Sequence, residues 1–161
     1  MKKVIISLIL LLSIHMAFGQ TAKLLIMKPI MTKSGLSIRY RINNGDTAKV
    51  FYKITKIAFC EGLAALKIID IKSKVEKLYF PCKGLIDLKT IAFTDKNSFL
   101  LNSNGLYKST LLIRFNDISP ALIKRHRYKI QLFFNYNNIP TEAKIQYCNN
   151  QLVSNELCFI Y

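Results

Sequence analysis

The stretch LSIRYRI, Leu36 to Ile42, alternates strictly: Leu36, Ile38, Tyr40 and Ile42 are apolar, and Ser37, Arg39 and Arg41 between them are polar. A period of two puts successive side chains on opposite faces of a strand, so one face belongs to a core and the other to water. Asn43, Asn44 and Gly45 follow, residues that favour a turn. The chain then resumes as AKVFYKITKIAF (48–59), whose β-branched and aromatic side chains suit a pleated surface.

The same alternation recurs in RYKIQLFFNY (127–136), where Tyr128, Ile130, Leu132, Phe134 and Tyr136 form the apolar set. LYKSTLLIRF (106–115) reads as a strand entered through the turn-prone Asn102 to Gly105 and left through a loop at Asp117 to Pro120. AKLLIMK (22–28), LKIIDIK (66–72), KVEKLYF (74–80) and ELCFIY (156–161) complete a set of about eight strands. Helical alternatives at Glu61–Lys67 and Ser119–Arg125 fall short of the ~12 residues that would favour helix over strand. The expected fold is all-β, a single antiparallel sandwich with no internal repeat and no linker composition.

The N-terminus, MKKVIISLILLLSIHMAFGQ, has Lys2 and Lys3 ahead of an apolar stretch from Val4 to Leu12, and small residues at Ala17 and Gly19. That layout predicts a secretory signal peptide over residues 1–19, cleaved before Gln20, with one domain at 20–161. The apolar stretch is short of the ~20 residues that span a bilayer, and no later stretch reaches that length, so no transmembrane segment is expected after cleavage. The expected location is periplasmic or extracellular. In that oxidising setting Cys60, Cys82, Cys148 and Cys158 read as a disulfide framework, the simplest pairing joining Cys60 to Cys82 and Cys148 to Cys158. The pinned loop Asn149–Asn155 would then lie between the last two cysteines.

The residues narrow the chemistry. After export His126 is the single histidine, flanked by Arg125 and Arg127, and it is expected on an exposed loop rather than in a catalytic triad. No CxxC or calcium-loop pattern occurs, and the glycines are too widely spaced for a phosphate cradle, so no metal or nucleotide cofactor is expected. Nine carboxylates are dispersed along the chain, which leaves a hydrolase assembled from distant carboxylates as the last-ranked alternative.

Charge points to a different class. There are 24 Lys and Arg against nine Asp and Glu, a formal net charge of +15 for the full chain. Such a field attracts anionic polysaccharide, lipopolysaccharide or nucleic acid without selecting among them. The basic residues are spread along the chain, and the one dense run places Lys124, Arg125 and Arg127 as candidate anion-binding residues. In RYR (39–41) and RYK (127–129) the tyrosine belongs to the apolar face of its strand, so core packing is expected there rather than base stacking.

In order, LSIRYRINNG (36–45), FLLNSNGLYKSTLLIRF (99–115), RYKIQLFFNYNN (127–138) and LVSNELCFIY (152–161) resemble the layout of small exported bacterial immunoglobulin-like sandwich domains. More distantly they are similar to the sandwich of bacterial proteinase-inhibitor-like proteins. Two positions depart from the layout: Asn104 stands where a proline precedes the turn glycine, and no glycine precedes Tyr128. The resemblance implies a non-catalytic module, not an enzyme, whose loops or sheet edges bind a protein partner or a surface polymer. A basic binder of anionic polymer is the alternative that the charge supports.

Overall fold

The computed structural model describes residues 22–82, 94, 96–135 and 151–161. The expected signal peptide at 1–19 and Cys148 lie outside the described residues.

The alternating stretch becomes the organising strand of the first sheet. β1 (Lys23–Ile26), β2 (Ile30–Met31) and β3 (Gly35–Asn43) are followed by β4 (Lys49–Tyr52), a short helix α1 (Lys56–Cys60), β5 (Ala64–Asp70) and β6 (Glu76–Tyr79). After these come β7 (Ser98–Leu101), β8 (Leu106–Arg114), a single 3-10 turn, β9 (Ile118–Ser119), β10 (Arg127–Asn135), β11 (Gln151–Val153) and β12 (Leu157–Ile160). Each of the eight segments expected from the sequence carries a strand. The additional ones, β2, β7, β9 and β11, have two to four residues, too few for a period of two to show.

All pairings among the described residues are antiparallel. β3 is central in the first sheet: β1 and β2 share one flank, and β8 pairs along the whole length of the other. β10 plays the same part in the second sheet, with β5 on one side and β11 and β12 in line on the other. β6 and β9 extend that sheet beyond β5, while β4 and β7 form a separate ribbon.

The inward residues of β3 (Leu36, Ile38, Tyr40, Ile42) and of β10 (Tyr128, Ile130, Leu132, Phe134) are all at most 1% exposed and belong to one apolar core. Tyr40 and Tyr128 are buried as their alternation requires, while their basic neighbours Arg39, Arg127 and Lys129 face water. An aromatic series, Phe51 to Phe99 at 5.7 Å, Phe99 to Tyr107 at 3.8 Å and Tyr107 to Tyr40 at 6.2 Å, ties the ribbon to the first sheet.

Three local departures from the sequence reading have physical causes. The stretch 48–59 is a strand only as far as Tyr52, because Thr55 opens a helical turn that buries the adjacent Ala58 and Phe59 together and turns Ile57 outward. The Asn43–Gly45 turn is fastened by a buried residue: Asn44 Nδ2 donates to the carbonyls of Thr47, Leu101 and Asn102, joining it to the turn before β8. Cys60 and Cys82 form the expected disulfide, Cα to Cα 5.4 Å, which secures α1 to the end of β6. Cys158, however, carries a free thiol in mid-strand opposite Lys129, so the second expected bridge is not made at that end.

Fastening of the closing segment falls instead to Ser154 and Asn155. Ser154 Oγ accepts the N–H of Leu132 at 2.9 Å, holding the step from β11 to β12 against β10. Asn155 accepts the N–H of Ile26 at 2.8 Å and donates to its carbonyl at 3.2 Å, clasping β1 of the first sheet to the end of the second.

Candidate anion-binding face

The strands β1, β2, β3 and β8 contain no aspartate or glutamate. Because β3 buries Leu36, Ile38, Tyr40 and Ile42, its polar residues Ser37, Arg39 and Arg41 point away from the core, and their ladder partners point with them. Register then composes the outer face in rows. Arg41 stands between Leu25 and Lys108, Arg39 opposite Thr110, and Ser37 between Ile30 and Leu112. Lys23 lies one row beyond, opposite Asn43, and Arg114 closes the other end opposite Gly35. Five cations thus share one sheet face with no carboxylate among them. Among the described residues Arg114 alone of the five has an ion-pair partner, its Nε 3.2 Å from Asp117 Oδ2 in the turn that follows.

Two cations of the second sheet are paired with acids. Lys129 pairs with Glu156 at 3.1 Å and Lys67 with Glu76 at 3.9 Å. On the first sheet, by contrast, neighbouring cations at ladder distances add their fields with no acid on their strands. Arg39 and Arg41 were legible as water-facing residues, but their joining to Lys108 depends on a register between strands far apart in sequence. The available signal was the absence of acids from AKLLIMK, LSIRYRI and LYKSTLLIRF taken together.

The candidate cluster Lys124, Arg125 and Arg127 lies elsewhere, at the entry to β10. All three side chains are exposed on a strap that the second sheet holds from beneath. Lys77, only 4% exposed, donates to the Ala121 carbonyl at 3.1 Å, and Tyr128 Oη accepts the N–H of Ile123 at 2.7 Å. Arg125 takes a positive φ of 64°, and its N–H donates to the Tyr161 carbonyl.

His126 is not the exposed loop residue that its neighbours suggested. Its side chain is 21% exposed, and Nδ1 lies 2.6 Å from Oδ2 of Asp70, which is fully buried. Burial pushes the Asp70 pKa upward, but the hydrogen bonds from His126 and from the N–H groups of Lys72 and Ser73 outweigh it and hold the carboxyl at about 2. The strap is thereby pinned through Asp70, Lys77 and Tyr128.

A second buried carboxylate, Glu61, follows α1 beside the disulfide and accepts the Tyr52 phenol at 3.0 Å. Burial raises the Glu61 pKa against the opposing effect of that bond. Tyr52 is pushed up to about 12, by burial first and then by the carboxylate. Asp70 and Glu61 are thus committed to different neighbours at different places in the fold.

A groove of about 690 Å³ opens at the far end of the basic face. Leu36, Leu112 and Ile113 line it together with Lys56, Arg114 and Tyr79. Gly35 also lines it, at a place with no room for a side chain: a Cβ there would stand 2.0 Å from the Ile113 carbonyl oxygen. Tyr79 is pushed up to about 12 by burial and the nearby Asp117 charge, with Arg114 opposing.

Among the described residues no helix is long and apolar enough to cross a membrane. In comparison with known proteins, the chain matches no family model, and no curated protein is similar to it.

Proposed function

We propose that the protein is an exported, non-catalytic binding module of immunoglobulin-like sandwich build that holds an anionic cell-surface polymer on the outer face of its first sheet. The observation that carries this reading is the set of five cations on three strands, β1, β3 and β8, of a sheet whose four strands are free of acids. Two antiparallel sheets sharing one core, with a disulfide beside α1, support the build and the oxidising destination. The two buried carboxylates support a non-catalytic role because they do not converge: Glu61 precedes β5 and bonds Tyr52, while Asp70 ends β5 and bonds His126.

Retention of residues 20–161 on a sulfated polysaccharide column tests the reading. The protein binds at low salt and elutes early as salt rises, since each neutralised anion releases counterions. Replacing Arg39, Arg41 and Lys108 by Gln abolishes retention, whereas replacing Lys124, Arg125 and Arg127 leaves most of it. Salt-insensitive retention, or none at low salt, removes the proposal. Loss confined to the second variant moves the site to the strap.

A further inference from the structure

We infer that the ligand is an anionic amphiphile, with its apolar chain in the groove beside β8 and its charged head against Arg114 and Lys56. The inference rests on the polyanion reading of the adjoining face, because Leu112 and Arg114 belong to both surfaces.

The outer face is graded along the strands. At one end stand Lys23, Arg41 and Lys108; at the groove end the row Ile30, Ser37, Leu112 exposes two large aliphatic side chains, 52% and 69% accessible. A purely hydrophilic polymer gains little from that row. An alkyl chain laid across it and into the groove removes apolar surface from water at about 25 cal/mol per Å². The groove volume, about 690 Å³, lies within the span of small-molecule sites, roughly 300–1,000 Å³.

The groove also selects the sign of the head group. Arg114 and Lys56 supply two cations, and the one carboxylate lining it, Asp117, is already engaged by Arg114 Nε. The guanidinium has donors left for a phosphate or carboxylate. Gly35 contributes wall without a side chain, and Tyr79 adds a phenol.

Calorimetric titration with three probes separates the alternatives, each surfactant kept below its micelle concentration: dodecyl phosphate, dodecyl maltoside and inorganic polyphosphate. Dodecyl phosphate binds about tenfold more tightly than dodecyl maltoside, the increment of a charge-assisted hydrogen bond. Leu112→Ser and Arg114→Gln each weaken dodecyl phosphate about tenfold. Leu112→Ser leaves polyphosphate unchanged, and both positions are exposed, so the variants fold. Binding of polyphosphate without dodecyl phosphate overturns the amphiphile and leaves the polymer reading standing. Leu112-dependent binding of dodecyl phosphate alone supports the groove and removes the polymer. Equal affinity for both surfactants, or indifference to Leu112→Ser, overturns the inference, and silence from all three probes removes both readings.

Discussion

Arg41 faces Lys108 directly across the β3–β8 ladder, and neither side chain makes an ion pair among the described residues. Like charges in that position oppose strand pairing by a few tenths to about 1 kcal/mol. No ion pair among the described residues offsets the repulsion, whereas a bound anion would turn it into attraction.

Arg41→Glu therefore separates stability from binding. It places a carboxylate opposite Lys108 and raises unfolding stability by about 0.5 kcal/mol in low-salt urea titrations. Polyanion retention falls in the same variant. A loss on both counts would mean that Arg41 packs rather than binds.

Glu61→Gln stabilises the protein in a pH-dependent way. The folded-state pKa of Glu61 is raised, so its contribution is fully present below the unfolded value near 4.5 and is lost as pH rises through the higher folded value. Glutamine keeps an acceptor for the Tyr52 phenol and carries no charge. Melting temperature should rise at pH 7 and hardly change at pH 3.5; a fall at pH 7 would show that the carboxylate itself is needed.

Asp70 has the opposite sign. Its pKa is depressed from 3.8 to about 2, so its stabilisation is present above pH 4 and disappears as pH falls through 2. Asp70→Asn lowers the melting temperature at neutral pH and flattens the acid limb between pH 4 and 2. Hydrogen exchange at Arg125 and His126 should quicken, and unchanged protection there would show that the strap is held without this pair.

Replacing Cys60 and Cys82 by Ser removes a cross-link between residues separated by 22 positions, worth about 3 kcal/mol in the chain-entropy picture. Polyanion binding at the first sheet should persist in the variant at 25 °C. Gly35→Ala acts on the sheet itself: the added methyl meets the Ile113 carbonyl, and separation of the strands costs about 2 kcal/mol in thermal or urea unfolding.

How much of this could be read from the sequence follows from the range of each interaction. Alternation within β3 and β10 is a local property, and it correctly assigned Leu36, Ile38, Tyr128 and Ile130 to the core. The cross-strand meeting of Arg41 and Lys108 depends on register, which no single segment encodes, so the basic face was hidden behind an impression of scattered charge. The Asp70–His126 contact spans 56 positions, and local composition around His126 argued for exposure. The helix at Lys56–Cys60 was obscured because β-branched and aromatic residues dominate the segment, while burial of Ala58 and Phe59 is decided by their tertiary neighbours.

The clasp at Asn155 has a bearing on how the protein stays monodisperse. A flanking strand with open amide and carbonyl groups is a template on which another chain can grow. At Ile26 both groups are already taken by one side-chain amide, which imitates a neighbouring strand for a single residue and then stops. Asn155 thus caps the flank of β1 at that residue, a guard against edge-to-edge aggregation that adds no further strand. Replacing it would expose self-association before it exposed unfolding.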